Sequence, residues 1–459
     1  MKNTHDIIIV GAGWSGLACA ITLAEQGYHV CILESAQQAG GRARGVQFKH
    51  FLPRQTLDNG QHIMLGAYHS TLALFKLIGV NTDIQLQHEA LQLAMYTSKK
   101  QPSKHPYIHL KAASLPSPLH LLSGLMFMQG VSFSERLSLI KMALMLAIKR
   151  YKLKYDISVL QLLKQYAQSE KVIAALWEPL CLASLNTPIQ YASAQVFLNV
   201  LKDSFSHKQS DSSLIFLKNN LSTLFTSPAI DFIKKHNGEI KYTEKVLQFS
   251  PTKYQSLIVT TSKQQYSCHT LILATPAHIT NTLINAQSPI SQQNILIPGH
   301  ASLKFNYEPI CTVYLQYPPD TELPSTMVGF FNTTIQWAID RRLCNQAGLF
   351  AIVISASGKH ESLANEALIA LVHQELKLCL ANLPELISSQ VIIEKKATFS
   401  CVVGIENQRP DNETHIAGLY LAGDYTNTHY PATLESAIRS GQSAANKIML
   451  SLYPSAKYR

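Results

Sequence analysis

The sequence predicts an α/β fold of the Rossmann-like, dinucleotide-binding kind. Two stretches at opposite ends of the chain predict it. Residues 5–45, HDIIIVGAGWSGLACAITLAEQGYHVCILESAQQAGGRARG, read as strand, glycine turn, helix, strand and acid. Residues 397–449 read as a buried strand, Gly423-Asp424, a loop and a helix from about Thr433. In the first stretch the run Ile7 to Val10 is short enough for a buried strand. Gly11, Gly13 and Gly16 follow as GAGWSG, with Trp14 and Ser15 between them. Gly11 suits the tight turn, Gly13 the close approach of backbone to a pyrophosphate, and Gly16 the packing of helix on strand. Leu17, Ala18, Ala20, Ile21 and Ala24 are apolar at helical spacing, Gly27 ends the helix, and His29 to Leu33 reads as a second strand closing on Glu34. The helix N-terminus offers free N–H groups to a phosphate, and Glu34 suits a ribose diol.

Beyond Glu34 comes Gly40-Gly41-Arg42-Ala43-Arg44. A domain for NAD does not need this loop. It resembles the second diphosphate motif of the large FAD oxidoreductases, which place Arg42 and neighbouring backbone such as Gly41 against the cofactor. In that same class Asp424 of the Gly423-Asp424 pair helps fix the ribityl-phosphate part, and the helix start at Ala432 and Thr433 faces the flavin.

Composition bounds the rest. The 459 residues suffice for two or three domain-sized units; 46% are hydrophobic and only 15% charged, so a large core is expected. The balance of 39 Lys+Arg against 29 Asp+Glu gives +10, but no nucleic-acid module accompanies it. The eight cysteines are scattered without a CxxC, a pattern of reduced core thiols rather than disulfides or a metal site. Asp6 and the complete glycine fingerprint mark the N-terminal apolar run as a first strand rather than a signal peptide.

Along the chain, Val46 to Phe51 reads as a strand, Asn59-Gly60 as a turn and Ser70 to Ile78 as a helix. LDNGQHIMLGAYHSTLALF, from Leu57, resembles the squalene-associated FAD-dependent desaturases of bacterial hopanoid gene sets, the hydroxysqualene dehydroxylase family. In related flavin amine oxidases this segment, including Gly60, passes beside the isoalloxazine ring. WEPLCLASLNTP from Trp177, LILATPAHI from Leu271, and QWAIDR with LFAIVISASG between Gln336 and Gly358 match the same family. The resemblance implies that Trp177, Glu178 and Pro179 end a helix near the substrate cavity and that 271–279 returns the chain to the FAD domain. Read alone, Trp177 is a core residue and Glu178 a cap. Flavin amine oxidases usually carry a lysine in the strand equivalent to Pro309–Tyr317, and PICTVYLQY has none.

The resemblance implies a discontinuous FAD-binding domain (1–80, 228–290 and 395–459) with an inserted mixed α+β substrate domain (81–227 and 291–394). Within the first, Pro228 to His236 reads as a helix and Glu239 to Phe249 as a strand. The family reaction is reductive removal of the hydroxyl of hydroxysqualene, a C30 polyprenyl alcohol, to give squalene. Such a step needs a hydride donor, a proton for the leaving hydroxyl and a dry apolar cavity. Asp58, Glu178 and His62 are the candidate proton donors. Asp58 is favoured because its segment runs closest to the flavin in related folds. Trp177, Trp337, Tyr425 and Tyr430 are the candidate aromatic walls. The alternatives are a carotenoid-type desaturase and a non-catalytic, FAD-containing lipid-binding protein. No second dinucleotide fingerprint names an electron donor.

Residues 112–134 contain no Asp, Glu, Lys or Arg, and prolines, glycines and five serines interrupt them, so a spanning helix is not expected. Between Glu135 and Asp156 stand Arg136, Lys141, Lys149, Arg150, Lys152 and Lys154, with no acid. This stretch fits either a peripheral helix on the anionic inner face of the cytoplasmic membrane or a core-facing helix with a solvated basic end.

Overall fold

The computed structural model describes residues 3–49, 51–52, 55–252, 256–286 and 303–452. Its first sheet has the strand order Glu239–Lys241, Val30–Leu33, Asn3–Val10, Gln265–Leu273, Leu257–Thr261, Val246–Pro251. The first four strands are parallel, and the last two return as an antiparallel meander. Ile7 to Val10 and Val30 to Leu33 are buried throughout, as parallel strands covered on both faces must be. The strand Gln265–Leu273 serves two neighbours in turn. Gln265 to Cys268 pair with Leu257–Thr260, and Leu271 to Leu273 pair in parallel with Leu419–Leu421 from the far end of the chain.

The helix Trp14–Glu25 lies on this sheet, and the C-terminal helix Leu434–Leu452 packs beside it. The two backbones meet closely at Gly441, where a Cβ would stand 2.2 Å from the Ser15 carbonyl oxygen.

A second seven-stranded sheet has the order Ser388–Phe399, Tyr307–Gln316, Leu349–Ser355, Trp337–Asp340, Met327–Phe330, Gln92–Tyr96, Ile108–Lys111. Only the Met327–Phe330 and Gln92–Tyr96 pair is parallel. On one face Val313, Phe350 and Ile352 pack with Leu368, Val372 and Leu376 of the helix Asn365–Cys379. On the other, Tyr314, Trp337 and Ala351 join Leu57, Leu176 and Leu139. No helix among the described residues is long and apolar enough to cross a membrane.

Three local expectations change. The strand expected over Val46–Phe51 is only Gly45–Gln47, and position 50 lies outside the described residues. The strand expected over Glu239–Phe249 is two, Glu239–Lys241 and Val246–Pro251. Between them Thr243 takes φ 52°, and the N–H groups of Thr243 and Glu244 donate to the carbonyls of Ala36 and Glu34. The third change is at Trp177–Pro179. The chain passes from a π-helical turn, Ile173–Trp177, straight into the helix Glu178–Leu185. Pro179 removes one N–H from this continuous helix, and the π-helical turn just before it is where the hydrogen-bond ladder is rearranged. The end comes instead at Asn186, left-handed at φ 47°. The stretch 287–302, which the expected boundary at 290/291 divides, lies outside the described residues.

Candidate active site

The site begins where Val10 gives way to Gly11. At φ 103° Gly11 turns the chain, and a Cβ on Gly16 would stand 2.1 Å from the Gly11 carbonyl oxygen, so the helix rests directly on the turn. No side chain caps this helix and no acid occupies its first turn, which leaves its N-terminal N–H groups for an anion. Above Gly13 there is open space: a Cβ there would meet nothing within 4 Å. Gly41, at φ 58°, faces it, with its Cβ position 3.1 Å from the Gly13 Cα, and the Gly40 N–H donates to the Ala12 carbonyl at 2.8 Å. The two glycine loops thus line one cradle. Ser15 is buried, with its hydroxyl oxygen unpartnered. The Trp14 indole donates to the Ala43 carbonyl at 2.8 Å, fixing one loop to the other, and packs against Phe225 with ring centroids 4.2 Å apart and the planes tilted by 36°.

Glu34 closes the second strand. Its Oε2 accepts the Ala12 N–H at 2.7 Å and its Oε1 the Ala36 N–H at 2.8 Å. The Ser35 hydroxyl also donates to Oε1, at 3.2 Å; a carboxylate has about four acceptor positions, so these bonds leave room for a ribose hydroxyl. Opposite, Arg42 donates to Asp424 Oδ1 at 2.7 Å and to the Ala397 carbonyl at 2.7 Å. That contact joins the second glycine loop to the C-terminal motif. Gly423 donates to Ser440 Oγ at 2.9 Å, and Thr433, next to Ala432, accepts the Ser436 N–H at the start of the last helix. Open glycine backbone, uncapped helix N–H groups, a carboxylate for a diol and a partly buried Arg–Asp pair fit a dinucleotide with a diphosphate.

Sequence reasoning missed Asn59, which locks the loops together. It accepts the Arg44 N–H at 3.0 Å and donates to the Arg42 carbonyl at 2.5 Å. The Asn-Gly pair reads locally as a turn, and nothing local signals the latch. Arg409 was missed as well. Fully buried, it donates to Glu406, to Thr428 Oγ1 and to the carbonyls of Asp424 and Tyr430, so the loop 424–430 is folded around one guanidinium.

The three candidate acids have different surroundings. Asp58 is 1% exposed. Its Oδ1 accepts the Leu221 N–H at 2.7 Å, and its Oδ2 lies 3.6 Å from Arg341 Nη1. Burial pushes this carboxyl above the usual range, while the Arg341 guanidinium, the Leu221 N–H and His62 oppose the shift. Arg341 also donates to Gln61 Oε1 at 2.6 Å and Gln346 Oε1 at 2.7 Å. Asp58 is therefore the counter-ion of a buried arginine that holds the loop after Asn59. His62 Nδ1 stands 2.7 Å from the Gly60 carbonyl, which places the ring proton on Nδ1 and leaves Nε2 an acceptor. Burial lowers its pKa, so it is neutral at pH 7. Glu178 is half-buried and has no hydrogen-bond or ion-pair partner among the described residues. Burial alone pushes its carboxyl up. Its helix is tied to the strands Tyr307–Gln316 and Ser388–Phe399 by Asn186, which donates to the Pro309 carbonyl at 3.2 Å and to Thr398 Oγ1 at 2.9 Å, one residue from the carbonyl that Arg42 holds.

The four aromatic candidates divide between two cores. Tyr425 and Tyr430 lie in the core of the first sheet. The Tyr425 hydroxyl is 3.2 Å from Thr280 Oγ1, and the Tyr430 ring lies under the Arg439 guanidinium at 4.4 Å. Trp337 is in the other core, its indole N–H buried without a partner. Trp177 packs against both and donates to Gln168 Oε1 at 3.1 Å.

Fold and cradle together define an oxidoreductase of the flavin-binding Rossmann class. The chain belongs to the family of flavin containing amine oxidoreductases, whose model matches residues 14–449. A dinucleotide cradle with an acid for a ribose makes the flavin FAD. The hydroxysqualene dehydroxylase of Zymomonas mobilis is 27% identical to this chain, over 97% of it and 99% of the relative. The 15-cis-phytoene desaturase of Glycine max is 24% identical over 97% of this chain and 79% of the relative. Among solved structures, cyclohexylamine oxidase from Brevibacterium oxydans shares the fold, with a TM-score of 0.68 at 15% identity over 98% of this chain and 99% of that one.

Proposed function

We propose that this flavoenzyme reduces hydroxysqualene to squalene, replacing an allylic C–OH with C–H and releasing water. The observation that carries the reading is the end-to-end likeness to the Zymomonas mobilis hydroxysqualene dehydroxylase. The absence of a lysine from the strand Tyr307–Gln316 supports it against amine oxidation. Gly11, Gly13, Trp14, Ser15, Gly16 and Gly41 hold the diphosphate end of FAD. Glu34 takes its ribose, Arg42 and Asp424 the ribityl-phosphate part, and Gly60, Ala432 and Thr433 the flavin side. The pieces 1–80, 228–290 and 395–459 form this unit and the remainder the substrate domain.

Bound, reduced FAD supplies a hydride to the allylic carbon. The chain's own tasks are to exclude water, to orient the alcohol and to protonate its oxygen as the C–O bond breaks. Glu178 is the best-suited acid: burial raises its carboxyl above the usual range, so it keeps its proton more readily than an exposed glutamate, and it is spent on no other partner. Asp58 is committed to Arg341, and neutral His62 offers an acceptor. Trp177, Trp337, Tyr425 and Tyr430 line the apolar walls, with Trp177 beside the acid. The protein takes its lipid substrate at the inner face of the cytoplasmic membrane, bound peripherally.

The deciding experiment is anaerobic. Dithionite-reduced protein is mixed with hydroxysqualene, the flavin spectrum is followed and the product identified. Squalene and flavin oxidation are expected, with Glu178→Gln slower by about 10²–10⁴-fold. A product with a new double bond and its oxygen retained would make the protein a desaturase. Flavin that stays reduced would leave only lipid binding.

A further inference from the structure

The helix Phe133–Ile148 is apolar on two opposite sides. Leu139, Met142 and Leu146 are buried against the protein. Phe133, Leu137, Leu144 and Ile148 are 64%, 47%, 46% and 75% exposed. At about 100° per residue these four fall within roughly 60° of arc, about 180° from the buried three. The patch continues onto the preceding helix, Leu119–Met126, and its neighbour, where Leu119 is 54% and Phe127 77% exposed. Of the 21 exposed large apolar side chains among the described residues, nine lie between Leu115 and Tyr155. A surface that concentrated calls for a partner.

The charges around it select the partner. Lys141 borders the stripe, and Lys149, Arg150, Lys152 and Lys154 stand exposed just past the helix end, with no acid between Glu135 and Asp156. We propose that the outer face of Phe133–Ile148, with Leu119 and Phe127, docks in the plane of an anionic lipid bilayer, apolar stripe in the acyl boundary and basic end at the headgroups. The proposal rests on the reading of a lipid substrate and deepens it. Gln168, buried, donates to Ser138 Oγ of this helix at 2.9 Å and accepts the Trp177 N–H at 3.1 Å. A single side chain thus links the docking helix to the residue preceding Glu178.

The test is flotation of the full-length, FAD-loaded protein with vesicles of phosphatidylcholine alone or mixed with phosphatidylglycerol. The triple variant Phe133→Gln, Leu137→Gln, Ile148→Gln keeps good helix formers at exposed positions. Its partitioning onto anionic vesicles is expected to fall by roughly 100-fold or more. A control with Ile84→Gln, Leu247→Gln and Ile387→Gln, exposed elsewhere, is expected to float as the unaltered protein does, and raised salt to release both. Anionic-vesicle binding unchanged by the triple variant would overturn the proposal. So would a protein that floats with neither vesicle and sediments as a dimer that the triple variant dissociates, since a second copy would then cover the stripe. Turnover of detergent-dispersed hydroxysqualene is read in parallel, so failure of the dehydroxylase reading appears there and failure of the docking surface in flotation.

Discussion

Replacing Glu34 with alanine separates two tasks that one carboxylate performs. Without cofactor, its oxygens already accept the Ala12 and Ala36 N–H groups at 2.7 and 2.8 Å, and the residue is 9% exposed. The variant leaves both donors unsatisfied at about 1–3 kcal/mol each. The turn adjoins the open cradle and admits water, so the apoprotein is expected to lose about 2–4 kcal/mol, the lower part of that range. The lost ribose contact is a separate hydrogen bond to a charged group, about 1.5–3 kcal/mol, or a roughly 10–150-fold weaker Kd for FAD. FAD in excess stabilises the native state by RT ln(1 + [L]/Kd), so a 100-fold weaker Kd removes about 2.7 kcal/mol of that stabilisation. Urea unfolding of apo and FAD-loaded protein, for both sequences, closes the cycle. The apo pair reads the N–H groups, and the gap between loaded and apo reads the ribose. If the apoprotein weakens while the FAD titration is unchanged, Glu34 is only a clip on the glycine turn and the reasoning fails.

Three further outcomes follow from the same geometry. Asp58→Ala strands the buried Arg341 charge and is expected to cost about 3–5 kcal/mol in urea unfolding, whereas Asp58→Leu combined with Arg341→Met costs less than the single change; a single-variant cost below 1 kcal/mol, about that of an exposed pair, would remove the ion pair from the account. Gly16→Ala forces a Cβ against the Gly11 carbonyl oxygen, so the protein is expected to purify colourless and to bind FAD at least about 100-fold more weakly; a normally yellow variant would contradict the close helix–turn contact. Because Glu178 must carry a proton to act and burial raises its pKa, single-turnover flavin oxidation is expected to stay level above the ordinary glutamic acid value of about 4.3. It then falls about tenfold per pH unit once the raised pKa is passed. Glu178→Gln should lack that descending limb, and a limb that survives the change assigns the proton to another group.

What the sequence displays and what it hides have a common physical reason. The cradle was legible because its parts are local. Gly11, Gly13, Gly16 and Glu34 take their roles from spacing within one strand–turn–helix–strand unit. The unit is linked to Leu419–Leu421 by the strand Gln265–Leu273, which pairs in parallel with both. The break at Tyr242–Lys245 was not legible, because it is imposed by Glu34 and Ala36 carbonyls from another strand. The ion pair of Asp58 was hidden for the same reason: its partner Arg341 comes from the distant segment 337–344, and Gln61 bonds to that arginine from 280 positions away. The environment that suits Glu178 to an acid is likewise tertiary, since it consists of burial without a partner. The two-sided helix Phe133–Ile148 left both of its readings open, and the structure shows one side packed inward and the other bare.

The strand Gln265–Leu273 that changes neighbours midway also sets an order of assembly. Its second half pairs with Ile7–Val10 on one edge but gains a neighbour on the other only when Leu419–Leu421 arrives, and the helix bearing Ser15 gains its companion only when Gly441 does. A ribosome adding about 5–20 residues per second needs roughly 20–85 s to pass from Gly16 to Gly441. For nearly all of that interval the fingerprint is already made, yet the carboxylate of Asp424 that meets Arg42 has not been synthesised. On the domain division proposed above, the insertions are complete before the unit that encloses them, so FAD is expected to be captured late, by a chain whose inserted part has had time to fold.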